Sequence, residues 1–274
     1  MDVLVTPSPH PASLCFGKFA QTRRQLLNLV SRSSESPSIH SQRSGNTAIH
    51  PSTRPDYSNE QQTAWLIRHE ELIGCARHGN APAVFLGDSL TDQWRTVGHG
   101  AWARAFASLP AINLGISGDR TQQVLWRLAH GALDGITPRA IVLLIGTNNL
   151  DPGLGENSLT PRNSPSEIVA GIVAIVAALR DRSKESHILI HGLLPRGLPD
   201  APVRSQIAEI NASLRNLDDG QRLRFIDLSP HLLAPDGSLG SAFMPDLLHL
   251  SEEGYELWAH ALQDVLCEFI HPHC

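Results

Sequence analysis

Four short polar segments of this 274-residue chain carry side chains able to do chemistry. They are Gly87-Asp88-Ser89-Leu90-Thr91-Asp92, Gly115-Ile116-Ser117-Gly118-Asp119, Gly146-Thr147-Asn148-Asn149 and Asp246-Leu247-Leu248-His249. A serine hydroxyl is a weak nucleophile at neutral pH and must lose its proton to a base as it attacks, a task that a neutral imidazole performs. An aspartate that accepts the other imidazole N–H fixes the tautomer and stabilises the imidazolium that forms. Ser89, His249 and Asp246 are the residue types for such a relay. With 14 histidines in the chain, any single one is a poor candidate. His249 is set apart by the Asp three residues before it and by its place just ahead of a helix start. Each segment also has a plainer reading. Gly-Asp-Ser is a common turn, and a Ser opening a helix is commonly an N-cap. A Gly after a strand serves a tight turn, and Asn148-Asn149 can cap a loop through side-chain hydrogen bonds.

These segments acquire weight from the elements that must position them. From Ala83 onward, short apolar runs recur between stretches of helical spacing, the pattern of a parallel sheet covered by helices. The runs fall at residues 83–86, 111–114, 140–145, 187–190 and 222–226 and predict five strands. Ser164-Pro165-Ser166-Glu167 reads as a capping box with Pro at the first helical position. It is followed by a stripe of Ile168, Val169, Ile172, Val173, Ile175, Val176 and Leu179. A last helix is expected to begin near Ser251, carrying Leu257, Trp258, Ala261, Leu262, Val265, Leu266 and Phe269 on one face, with Tyr255 and Trp258 read as core. In such sheets ligands bind beyond the carboxyl ends of the strands, which is where the first three polar segments fall.

Taken together, in this order, the four segments resemble the SGNH (GDSL-type) hydrolases, named for a Ser, a Gly, an Asn and a His in four blocks. Here these match Ser89, Gly115, Asn148 and His249, with Asp246 in the family's D-x-x-H spacing. The resemblance implies a three-layer α/β/α, flavodoxin-like fold and a cofactor-independent, metal-free serine esterase, with Ser89 as nucleophile, His249 as base and Asp246 as its orienter. It further implies an oxyanion hole from the backbone N–H groups of Ser89 and Gly115 and the side-chain amide of Asn148. Residues 113–119, 124–128 and 192–197, with Leu248-His249-Leu250 and Gly254-Tyr255, look like the catalytic subunits of platelet-activating factor acetylhydrolase Ib. That likeness covers roughly residues 65–269 and implies a short acyl substrate, often acetyl, and homodimerisation. An acetylated-carbohydrate esterase, a lysophospholipase and a non-catalytic binding module on the same fold are the competing readings. Two features depart from the subfamily: Ser117 stands where it usually has Gly, and the loop 150–163 (LDPGLGENSLTPRN) does not follow its pattern.

Other chemistries fit poorly. A haloacid-dehalogenase phosphatase needs a second Asp two residues after the first, where this chain has Leu90. No G-x-S-x-G elbow surrounds Ser89 or Ser117, and no G-x-G-x-x-G follows the first strand. A net charge of -5 with no dense Lys/Arg run argues against nucleic acid, and no apolar run is long enough for a membrane span.

Cys15, Cys75, Cys267 and Cys274 lack zinc spacing and read as reduced thiols. The terminal group Cys267, His271, His273 and Cys274 is not expected to bind metal. Residues 1–58 read as a disordered or weakly structured extension, and 59–274 as the hydrolase domain. The stretch 31–59 is rich in Ser, Pro, Asn and Arg and nearly empty of large apolar residues. Thr22-Arg23-Arg24-Gln25-Leu26-Leu27 has the look of a twin-arginine signal but lacks the apolar stretch that should follow, so a cytoplasmic location is expected and export is the rival.

Overall fold

The computed structural model describes residues 45–79, 81–152 and 162–271. It is built on a five-stranded sheet in the order β2-β1-β3-β4-β5, with every neighbouring pair parallel. The strands are β1 (Ala83–Gly87), β2 (Ala111–Asn113), β3 (Ala140–Leu144), β4 (His187–His191) and β5 (Leu223–Ile226). Each falls within a residue or two of its apolar run. β1 and β3 are buried along their whole length, which is why they read as unbroken hydrophobic stretches rather than alternating ones.

Eight α-helices are described: α1 (Asn59–Gly79), α2 (Ser89–Asp92), α3 (His99–Ala105), α4 (Thr121–Ala129), α5 (Pro165–Arg182), α6 (Pro202–Arg215), α7 (Ser229–Leu232) and α8 (Glu252–Ile270). α4, α5 and α6 lie side by side on one face, and α8 packs with α3 on the other. The capping box of α5 forms in full: Ser164 accepts from the Glu167 N–H while the Glu167 carboxylate accepts from the Ser164 N–H. Its buried stripe is Ile168, Ile172, Ile175, Val176 and Leu179; Val173, expected on that stripe, is 41% exposed because its position turns it toward solvent. α8 begins where expected, capped by the Ser251 hydroxyl on the Gly254 N–H. Between α8 and the sheet, Phe85, Trp94, Trp102, Phe106, Tyr255 and Trp258 form one aromatic cluster of edge-to-face and tilted pairs, with both Tyr255 and Trp258 fully buried.

The N-terminal boundary differs from the sequence expectation. Residues 46–57, assigned there to the weakly structured extension, pack onto the domain. A 3-10 turn at Thr47–Ile49 buries Ala48 completely. The Thr121 hydroxyl donates to the Ala48 carbonyl, the Gln123 amide to the Thr53 carbonyl and the Asn163 amide to the Thr47 hydroxyl. The expectation weighed only apolar burial. This segment is instead fixed by polar side chains satisfying buried donors and acceptors, a source of order that composition does not reveal. Residues 1–44, including the twin-arginine-like stretch and Cys15, lie outside the described residues, as do His273 and Cys274. Among the described residues no helix is long and apolar enough to cross a membrane, and no group of three or more His, Cys, Asp or Glu is placed to hold a metal.

Candidate active site

Ser89 opens α2 directly beyond β1. The Asp88 carboxylate caps this short helix by accepting the Leu90 N–H at 3.1 Å. The turn is possible because residue 87 lacks a side chain: a Cβ there would meet the Leu144 carbonyl oxygen at 2.2 Å. Asp88 is fully buried, its Oδ2 makes no hydrogen bond among the described residues, and burial pushes its pKa up to about 7, the nearby Asp119 charge adding to the shift.

His249 lies 160 positions from Ser89 in the chain, yet its Nε2 stands 3.1 Å from the Ser89 Oγ. Its Nδ1 is 2.7 Å from Asp246 Oδ2. The other Asp246 oxygen accepts the backbone N–H groups of Leu248 (2.9 Å) and His249 (2.6 Å), so the carboxylate winds its own loop into a tight turn. Burial works to raise the Asp246 pKa, but the bonds from the His249 backbone and ring and from Leu248 outweigh it and hold the carboxyl below its ordinary value. The turn carries backbone strain: Leu247 has φ 62°, a left-handed conformation that costs a non-glycine residue about 1–2 kcal/mol. The Gly197 N–H, donating to the Leu247 carbonyl at 2.9 Å, ties this turn to the loop after β4. Aspartate, imidazole and hydroxyl thus form one hydrogen-bonded line.

The three expected oxyanion donors are less uniform. The Ser89 N–H belongs to the first residue of α2. The Gly115 N–H donates to the Asn113 Oδ1 at 2.8 Å, so it can serve a ligand only as a shared donor. Gly115 itself is indispensable to the packing, since a Cβ there would lie 2.3 Å from the Asp92 backbone nitrogen. Asn148, in the 3-10 turn Thr147–Leu150, gives one Nδ2 hydrogen to the Asp119 carbonyl at 2.8 Å, leaving the second for another acceptor. Its neighbour Asn149 is the loop cap that the plainer reading allows. Fully buried, it accepts the Thr121 N–H, and the two hydrogens of its Nδ2 are shared among acceptors on Thr121, Gln122 and Asn163 at 2.9 to 3.1 Å.

Several residues that the sequence did not single out complete the site's support. Asp92 accepts from Arg95 (2.6 Å) and from the Ser117 hydroxyl (2.6 Å), joining α2 to the loop after β2. A Gly at position 117 could not make that bond. Burial works to raise the Asp92 pKa, but the Arg95 and Ser117 bonds outweigh it and hold the carboxyl low. Asp119 is fully buried against Arg54, Arg127 and Trp65. Arg196, after β4, reaches Asp151, just after the Asn148 turn, at 2.8 Å. A run such as Ser117-Gly118-Asp119-Arg120 gives no sign that both of its charges are buried; only the tertiary pairing, Asp119 with Arg54 and Arg127 and Arg120 with Asp56, shows it.

Comparison with known proteins shows the family. The GDSL-like lipase/acylhydrolase family profile matches residues 85–257. The alpha1 subunit of human platelet-activating factor acetylhydrolase IB is 32% identical over 207 residues, 75% of this chain and 84% of that protein. The rat alpha2 subunit is 30% identical over 231 residues, 84% of this chain and 94% of that one. Among solved structures, a GDSL-like lipase from Bacteroides thetaiotaomicron superposes with a TM-score of 0.54 at 19% identity, covering 68% of this chain and 88% of that one. The acetylxylan esterase of Geobacillus stearothermophilus does so at 0.53 and 18%, covering 68% and 94%; at these identities the likeness is one of fold. With the family profile spanning both the Ser89 and the His249 segments, this chain belongs to the GDSL-like lipase/acylhydrolase family.

Proposed function

We propose that the protein hydrolyses a carboxylic ester with a short acyl group, acetyl foremost, through an acyl-enzyme on Ser89. The observation that carries this reading is the hydrogen-bonded line from Asp246 through His249 to the Ser89 hydroxyl. In this mechanism the Ser89 Oγ attacks the ester carbonyl as its proton passes to His249 Nε2. Asp246 stays ionised and holds the Nδ1–H tautomer. The tetrahedral oxyanion is received by the Ser89 N–H, the Gly115 N–H and the free hydrogen of the Asn148 amide. Collapse expels the alcohol, which takes the proton from His249, and water then attacks the acyl-enzyme with His249 again as base.

The preference for acetyl rests on the similarity to proteins named as acetylhydrolase subunits over most of the chain. An acetylated-carbohydrate substrate has less support. The likeness to the acetylxylan esterase is one of fold, and the two aromatic residues that could have stacked on a sugar, Tyr255 and Trp258, are buried in the core. The same similarity supports a homodimer, which light scattering would test.

A fluorophosphonate probe should label the protein, and Ser89→Ala should abolish labelling. An unlabelled wild-type protein would favour a non-catalytic binding module instead. A panel of p-nitrophenyl esters of rising chain length, followed by an ether phospholipid and acetylated xylan, then reads substrate class. Preference for long-chain esters over acetate would overturn the short-acyl reading.

A further inference from the structure

The packed N-terminal segment ends against the loop that orients Asn148. Arg54 is only 6% exposed. Its Nη2 donates both to the Ser117 carbonyl (2.5 Å) and to Asp119 Oδ1 (2.7 Å). The guanidinium also lies over the Tyr57 ring at 4.9 Å and the Trp65 ring at 5.6 Å, so its orientation is fixed from both sides. Between its two acceptors stands Gly118 in a left-handed turn, where even a Cβ would come within 3.2 Å of the Tyr57 hydroxyl and 3.4 Å of Arg54. The stretch 117–119 is therefore gripped at both ends, on either side of Gly118, by a side chain more than 60 positions away in the chain. The carbonyl of the same Asp119 accepts one hydrogen of the Asn148 amide. An amide group is planar, so fixing one N–H direction fixes the other.

We propose that Arg54 is a positioning residue for the oxyanion site: by holding the Ser117 carbonyl and the Asp119 carboxylate together it sets the rotation of the Asn148 side-chain amide, which makes the N-terminal segment a working part of the hydrolase unit. The inference rests on the oxyanion role read for Asn148. The segment also supplies an internal control. Asp56, two residues on, anchors it through Arg120 (2.9 Å) and Arg162 (2.7 Å) rather than through the 117–119 stretch. A substitution there is expected to loosen the segment without removing either Arg54 hydrogen bond directly.

The test uses the full chain as wild type, Arg54→Ala, Arg54→Lys and Asp56→Asn. The readouts are the rate constant of Ser89 phosphonylation by a fluorophosphonate, whose phosphoryl oxygen stands in for the oxyanion, and kcat and KM on p-nitrophenyl acetate, all measured well below the melting transition. We expect R54A to lower the phosphonylation rate and kcat by about tenfold or more with KM changed by less than about threefold, a weakened version of losing the donor outright. R54K should be intermediate, and added guanidinium should restore part of the R54A activity. D56N should lower Tm yet keep kcat within about threefold of wild type. The proposal is overturned if R54A keeps the wild-type rates, or if D56N loses as much kcat as R54A, since either makes Arg54 a stability anchor only. Should R54A fail to fold, R54K decides alone: reduced kcat at unchanged KM supports the clamp, and wild-type kcat removes it. Wild-type protein that resists the probe defeats the hydrolase reading and this inference with it, whereas labelled wild type with equally labelled R54A defeats this inference only.

Discussion

Asp88 stands directly behind the candidate nucleophile and presents an unusual electrostatic problem. It is fully buried, with one oxygen on the Leu90 N–H and the other without a hydrogen bond among the described residues. Burial raises its pKa from 3.8 to about 7. A carboxyl whose folded pKa lies above its unfolded value binds more protons folded than unfolded between those two values, so stability falls as pH rises through that window. The slope is about 1.4 kcal/mol per pH unit, and across the whole window the loss is on the order of 4 kcal/mol. Asp88→Asn keeps the acceptor for Leu90 and cannot ionise. Its Tm, compared with wild type, should therefore improve from about pH 4 to about pH 7 and level off above that. Parallel Tm-against-pH curves for the two proteins would show that Asp88 does not titrate in this range. At this scale the sequence was informative about identity and silent about state: Gly-Asp-Ser marked the turn, but only the depth of Asp88 in the fold makes it a poised acid rather than an ordinary cap.

At the scale of elements, the site depends on how closely α2 and the loop after β2 approach each other. Asn113 donates to the Thr91 carbonyl at 2.7 Å, Ser117 donates to Asp92, and Gly115 lies between them with its α-carbon against the α2 backbone. Gly115→Ala would place a methyl group 2.3 Å from the Asp92 nitrogen and 2.7 Å from the Thr91 carbonyl carbon. Backbone cannot rotate aside as a side chain does, so the loop or the helix must shift. We expect a loss of about 1–3 kcal/mol in urea unfolding, the usual cost of overpacking, together with a fall in kcat of about a hundredfold because the shift displaces the proposed oxyanion donors relative to the Ser89 hydroxyl. A G115A protein with wild-type kcat would mean that this close approach does not position the donors. The strands, α5 and α8 were legible beforehand because buried parallel strands read as continuous apolar runs and because Ser164 and Ser251 are side-chain caps with local geometry. The close approach itself was not legible. A glycine after a strand has the same spelling whether it relieves a turn or a clash with a helix more than twenty residues away.

Across the whole molecule, one carboxylate joins three distant parts of the chain. Asp119 Oδ1 accepts from Arg54 in the N-terminal segment and from Trp65 Nε1 of α1, while Oδ2 accepts from Arg127 of α4. Arg127 is wholly buried and also donates to the Leu114 carbonyl at the end of β2. Sequence reading placed residues before 59 outside the domain because they lack apolar surface, yet Arg54 is bound into it by charge, with a partner 65 positions on. Such pairing leaves no periodic trace. Its energetics are asymmetric: two desolvated guanidinium groups are tolerable only while the carboxylate faces them. Asp119→Asn leaves the shape almost unchanged but removes the charge and turns an amide N–H toward donors. Stability in urea should fall by about 3–5 kcal/mol, far more than a surface ion pair of similar length would cost. Asp227→Asn is the comparison, because Asp227 pairs with Arg215 at 3.1 Å and that guanidinium side chain is 62% exposed; it should cost less than about 1 kcal/mol. Equal losses for the two variants would mean that the Asp119 network is wetter than its burial implies, and that the N-terminal segment is held by its other contacts instead.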